Sequence, residues 1–263
     1  MGHQRPGATP NTREWRAVVT LLAESTGGGP AENVEAIAAQ ALQAADAALQ
    51  QAKSDVGVRY TFYLLTQIVA AARHEDWQSR LAAVGIQLDD KASVFDLGAE
   101  MQSAVDSYIS RHGHATDLSE MAQQAAGEAM ASLAGSRAVS LFGSGNDEMR
   151  TAIRELSTKA GFSRLGQTFF GSFVSRFLNF YLSRVTARQV GAPRLPNVEA
   201  VSEFNRALSA HCEESARIVR DFCGGWYSKT DYVEGINVHN TSRFMAVALS
   251  KLQRELARQR AQR

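Results

Sequence analysis

The chain has 263 residues, with 28 Lys and Arg against 27 Asp and Glu, two Cys and five Pro. With 44% hydrophobic and 21% charged residues, it can bury a sizeable core and is neither disordered nor collagen-like in composition. Two cysteines exclude a disulfide scaffold and a four-thiolate zinc site, and no apolar run reaches the roughly 18 residues of an ordinary membrane-spanning helix.

Residues 1–11 are expected to form a disordered tail. They lack the apolar stretch of a secretory signal, and Pro6 stands where a myristoylation site needs Ser or Thr. A cytoplasmic location follows as the expectation. All five prolines lie at positions 6, 10, 30, 193 and 196, so the 162 residues from Ala31 to Ala192 contain none. Helix interiors exclude proline, whereas the turns of a β-rich chain collect it. The same stretch is rich in Ala, Gln, Glu, Leu and Arg, and no alternating Val/Ile/Thr run appears. The expected fold is all-α, a globular bundle of about eight to ten helices with little or no β-sheet.

Thr12 to Ser25 predicts a first helix, closed by Gly27, Gly28 and Gly29. Pro30 suits the start of a long helix through about Ser54, with Val34, Ile37, Ala41, Ala44 and Ala48 on one stripe. Val58 to His74 is apolar nearly all round, the mark of a central helix. Trp77 to Val84 is a short helix ended by Gly85. Ser93 to Ser110 and Asp117 to Leu133 follow, each closed near a glycine, and Asp147 to Ala160 is closed by Gly161. Gly143 to Asn146 reads as a flexible junction. It lacks the strand, lysine and further glycine of a phosphate-binding loop. It divides the chain into an acidic half, residues 12–143, and a basic, aromatic half, residues 144–263, which can equally form one continuous domain.

The charge is polarised. Residues 1–150 carry 11 basic and 18 acidic side chains, and residues 151–263 carry 17 and 9. No Asp or Glu occurs between Leu156 and Val198. Such asymmetry implies either complementary packing of the two halves or a face for an anionic partner.

Gly166 to Val190 places Phe169, Phe170, Phe173, Phe177, Phe180 and Tyr181 on a helical arc of about 120°, which Arg184 and Arg188 continue. Gly171, Ser172, Ser175, Asn179, Ser183 and Thr186 occupy the other side. Three arrangements fit this pattern. The aromatic arc can fill the core while the small face meets another helix, in this chain or in a second subunit. Aromatics and arginines can bind nucleic acid. The helix can also lie in a membrane interface, although such helices carry their cations opposite the apolar face.

Val198 to Phe222 predicts an amphipathic helix ended by Gly224 and Gly225. Trp226 to Tyr232 then forms an aromatic-rich loop, or a latch pinning the last helix. Asn240, Thr241 and Ser242 cap that last helix, in which Phe244, Val247, Ala248, Leu252 and Leu256 keep the helical period. Cys212 and Cys223 stand roughly 16 Å apart along a helix axis, too far to bridge. His211, Cys212, Glu213 and Glu214 are adjacent and cannot converge on one ligand. His112 and His114 make a poor zinc pair. No metal, cofactor or catalytic set is expected, and the sequence leans against an enzyme while leaving that question open.

The leading expectation is a non-catalytic helical interaction or scaffold protein that self-associates or docks a protein partner. Gly171, Ser175, Asn179 and Ser183 are its self-association candidates. Candidates for contact with a partner or nucleic acid are Arg176, Arg184, Arg188, Trp226, Tyr227, Lys229, Arg254 and Arg258. The first alternative is a nucleic-acid-binding accessory protein using the basic half. The second is an enzyme centred on Cys223 or the Trp226–His239 segment.

Overall fold

The structure is a computed structural model and describes residues 12–23, 29–135 and 146–258. Among them are twelve α-helices: α1 (Arg13–Ala23), α2 (Val34–Ala44), α3 (Asp46–Ser54), α4 (Val56–Ala71), α5 (Trp77–Ala83), α6 (Val94–His112), α7 (Asp117–Met130), α8 (Asn146–Leu156), α9 (Lys159–Arg188), α10 (Val198–Ser215), α11 (Arg217–Val233) and α12 (Val238–Arg258). A π-helical turn, Ala131–Gly135, prolongs α7. The described residues contain no strand, only an antiparallel bridge between Ala192 and Leu195. The expected tail, the junction at 143–145 and the last arginines, Arg260 and Arg263, lie outside the described residues.

Side-chain caps set several helix starts. Asp55 Oδ1 accepts from Val58 N at 2.9 Å, and its other oxygen accepts from Thr116 Oγ1 at 2.7 Å, tying the start of α4 to the start of α7. Ser93 and Asp96 form a reciprocal capping box at α6, and Asn197 accepts from Ala200 N at α10. Such caps satisfy amides that have no partner inside the helix. Two breaks raise the helix count from the expected eight to ten to twelve. The long helix expected to run to Ser54 divides at Ala45, and α10 ends at Ser215, before a separate helix that includes Trp226 and Tyr227. The last helix begins earlier than expected, because Asn237 Oδ1 accepts from the amides of His239 and Asn240.

Gly161 does not close a helix. Thr158 Oγ1 donates to the carbonyl of Glu155 at the end of α8 and accepts from Gly161 N at 3.0 Å, so one hydroxyl ends α8 and starts α9. A β-carbon at Gly161 would collide with the Glu155 carbonyl, which is why the turn takes glycine there. From that point α9 runs 30 residues without interruption, roughly 45 Å at the helical rise.

The α4 helix is central, as its all-round apolar pattern predicts, and packs against α7, α6 and α12. The α9 helix packs along α11, α7 and α10. Phe62 of α4 is fully buried and lies within ring contact of Phe162, Phe169, Phe170, Trp226 and Phe244. The aromatic arc of α9 therefore fills the core: Phe169, Phe170, Phe173 and Phe177 are buried, while Phe180 and Tyr181 are half-buried.

The Gly224–Gly225 pair, expected to terminate a helix, lies inside α11. Gly224 faces the first turn of α9, where a β-carbon would collide with the carbonyl oxygen of Lys159 and the hydroxyl of Ser163. The glycine is a point of close helix contact and not a stop.

His211 of α10 is buried, and its Nε2 has no hydrogen-bond partner among the described residues. Burial lowers its pKa from the ordinary 6.5, against the opposing pull of Glu35. Below that ordinary value the unfolded chain takes up a proton that the native state declines, so stability falls as pH drops toward the depressed native value. Urea unfolding of the wild type is expected to weaken between about pH 7.5 and 5.5. His211→Asn should flatten that dependence, and equal slopes in the two proteins would contradict it.

Candidate docking groove

The α11–turn–α12 hairpin carries the site. Gly235 adopts φ +71 in the turn, a left-handed conformation suited to glycine, and Asn240 Nδ2 donates to its carbonyl at 2.9 Å. The two helices enclose a groove of about 450 Å³. Phe222, Trp226, Thr230 and Val233 line it from α11, and Asn240, Phe244 and Val247 line it from α12. These positions recur at helical spacing, so each helix offers one stripe.

Phe244 forms the floor. Trp226 stacks on it at 4.1 Å between ring centroids with 21° between planes, and Phe222 meets it at 5.6 Å. Trp226 thus acts as the latch onto the last helix. The floor continues to the surface: Val233 is 67% exposed and Val247 is 50% exposed. Apolar area left in water forgoes about 25 cal/mol per Å².

The rim is cationic. Lys229 and Arg243 line the groove, and Lys251 places its Nζ 4.5 Å from the centre of the Phe222 ring. Lys229 and Arg243 are exposed and have no ion-pair partner among the described residues. Among the described residues, Glu234 is the one carboxylate lining the groove. Asp231 of α11 is turned away, to a 2.7 Å ion pair with Arg73.

The other expected residues lie elsewhere. Tyr227 does not line the groove. It is buried against Phe162 at 4.1 Å, and its hydroxyl has no hydrogen-bond partner among the described residues. Burial raises its pKa, ahead of the opposing charge of Arg73. Arg254 and Arg258 are exposed further along α12. Arg188 is exposed at the end of α9, and Arg184 sits 5.2 Å from the Phe180 ring. Arg176 is held across the α7–α9 seam by Gln124 at 2.8 Å and Glu128 at 2.9 Å. Burial alone would raise the Glu128 pKa, but hydrogen bonds from Ser172 and Arg176 hold it below its ordinary value. None of the three α9 arginines lines the α11–α12 groove.

The small face of α9 is covered in large part by α10 of the same chain. A β-carbon at Gly171 would stand 3.0 Å from Glu213 Cα, and Ser175 Oγ is 2.8 Å from Ser209 Oγ. Asn179 donates to Ser175 at 3.4 Å, and only Ser183 of the four self-association candidates is exposed. Of the two arrangements left open for this face, Gly171 and Ser175 meet a helix of the same chain: small residues admit such a helix as readily as one from a partner. Ser175→Leu is accordingly expected to cost about 1–3 kcal/mol of folding stability by overpacking against α10, measured by urea denaturation. An unchanged midpoint would contradict this placement.

Cys223 and His239 do not form a reactive pair. Cys223 is fully buried where Gly166 of α9 leaves room for its sulfur, whereas His239 is exposed at the start of α12. Burial pushes the Cys212 thiol up to about 12 and raises that of Cys223 as well, so neither supplies thiolate near neutrality. Both cysteines are free. His112 stacks on Tyr108 at 4.0 Å, and no group of three or more metal-ligating side chains occurs among the described residues. No described helix is long and apolar enough to cross a membrane.

Sequence reasoning singled out Trp226 and Lys229 but missed Val233, Arg243, Val247 and Lys251 as one surface. The signal was the apolar period Phe222, Trp226, Val233, which continues through the two glycines once they are allowed inside a helix. No family model, curated protein or solved structure matches the chain.

Proposed function

We propose that this chain is a non-catalytic helical docking protein that holds a segment of a partner protein in the α11–α12 groove. The observation that carries this reading is a groove between two helices whose aromatic walls, Phe222 and Trp226, are half-buried over a buried Phe244 and flanked by exposed Val233 and Val247, with rim cations that have no ion-pair partner among the described residues. A concave apolar floor with a polar rim is the layout by which a groove takes a partner helix. The same geometry favours protein over nucleic acid, because base stacking needs a free ring face. Here Trp226 and Phe222 both turn toward Phe244, and Lys251 covers Phe222. The concavity likewise disfavours a lipid surface, which takes protruding side chains.

The test compares three full-length forms recovered from their native cells: wild type, Val247→Asp, and Gln102→Asp on the exposed flank of α6. A specific protein is expected with wild type and Gln102→Asp and is lost with Val247→Asp. The same proteins accompanying all three forms would overturn the reading.

A further inference from the structure

The structure points to a particular chemistry for the docked segment, and we infer that it is an acidic amphipathic stretch of protein, apolar on one side and rich in Asp or Glu on its flanks. This inference rests on the docking reading and adds the partner's charge to it. The groove stripe runs from Phe222 to Val233 on α11, about three helical turns. That length suits apolar anchors at i, i+3 or i+4, i+7 and i+11 on a partner helix.

Two arguments fix the sign. First, Lys229 and Arg243 line the groove and Lys251 borders it, with no ion-pair partner for them among the described residues. Carboxylates along a docked helix would supply what the fold does not. Second, the carboxylate that could have neutralised this end of α11, Asp231, is committed to Arg73 on the opposite side. Among the described residues that line the groove, Glu234 is the one carboxylate, near the turn. Exposed ion pairs are individually weak. Together they act on partner choice and on the rate of encounter more than on total affinity. A basic segment of identical apolar pattern would meet like charge and be rejected.

The test uses full-length protein and three fluorescent helical peptides with the same Leu and Phe positions. Their remaining positions are Glu-rich, Gln-rich or Lys-rich, and binding is read by anisotropy at 0.15 M salt. The Glu-rich peptide is expected to bind about tenfold more tightly than the Gln-rich one, with the gap shrinking as salt rises, and the Lys-rich peptide is expected to bind least. The triple variant Lys229→Glu, Arg243→Glu, Lys251→Glu alters exposed side chains and should stay folded, melting slightly below wild type because the Lys251 contact on the Phe222 ring is lost. It is expected to invert the order. Equal binding of the Glu-rich and Gln-rich peptides, both lost in Val247→Asp, overturns the acidic partner and leaves the docking reading standing. Failure of all three peptides overturns both. Binding to phosphatidylserine vesicles that the Glu-rich peptide does not displace also overturns the inference, in favour of a lipid surface.

Discussion

Replacing Phe62 with alanine is expected to remove about 3–5 kcal/mol of stability, the usual cost of emptying a large aromatic site in a packed core. The loss falls at the upper end because Phe62 is fully buried and joins elements distant in sequence. It touches Phe162, Phe169 and Phe170 on α9, Trp226 on α11 and Phe244 on α12. None of these rings can collapse into the void without leaving another neighbour. Single domains hold about 5–15 kcal/mol in all, so the variant should unfold at a much lower urea concentration. Phe95→Ala supplies the contrast, since Phe95 is 78% exposed and its loss is expected to stay within about 0.5 kcal/mol. A Phe62→Ala loss below about 1 kcal/mol would mean that these rings do not form one packed unit.

The second large effect comes from two neighbouring glycines with opposite signs. Gly224→Ala places a methyl group against the Lys159 carbonyl and the Ser163 hydroxyl. Backbone on both sides must move, and overpacking of this kind costs about 1–3 kcal/mol or more. Gly225→Ala places the same methyl group in open space. There the better helix propensity of alanine should stabilise by up to about 1 kcal/mol. Thermal or urea unfolding of the two variants reads the difference directly. Equal behaviour of the pair would contradict the close approach of α11 to α9. The hairpin bearing the groove is seated on that approach, so Gly224→Ala should also weaken docking.

The same two glycines mark where the sequence misleads. Each costs about 1 kcal/mol relative to alanine inside a helix, so a pair of them reads as a stop. Only the passage of α9 beneath Gly224 explains why glycine is retained there, and that passage involves residues more than 60 positions away, Lys159 and Ser163. The breaks at Ala45 and Ala216 carry no proline, glycine or capping side chain; they are set by where the next helix packs. By contrast, the all-α class was legible in the proline-free stretch, the central place of α4 in its all-round apolar pattern, and the core role of α9 in its aromatic arc.

The groove was legible only in part. Trp226 and Lys229 stand out as residue types, and Phe244 and Val247 follow the period of the last helix. Their assembly into one surface requires α11 and α12 to lie side by side across the Gly235 turn, which no local pattern encodes. The charge asymmetry was equally visible, but its outcome depends on packing. Arg176 meets Glu128 across the two halves, Arg73 meets Asp231 in the opposite sense, and the cations of the hairpin stay exposed.

The most direct measurement of the central claim is a photo-cross-link formed in the native cell from a benzophenone side chain at Val247, with the same probe at Gln102 as the comparison. The account predicts a discrete adduct from Val247, absent from Gln102, in which mass spectrometry maps the link to one segment of a partner protein. Adducts equally abundant from both positions, or none from Val247, would contradict a docking role for the α11–α12 groove.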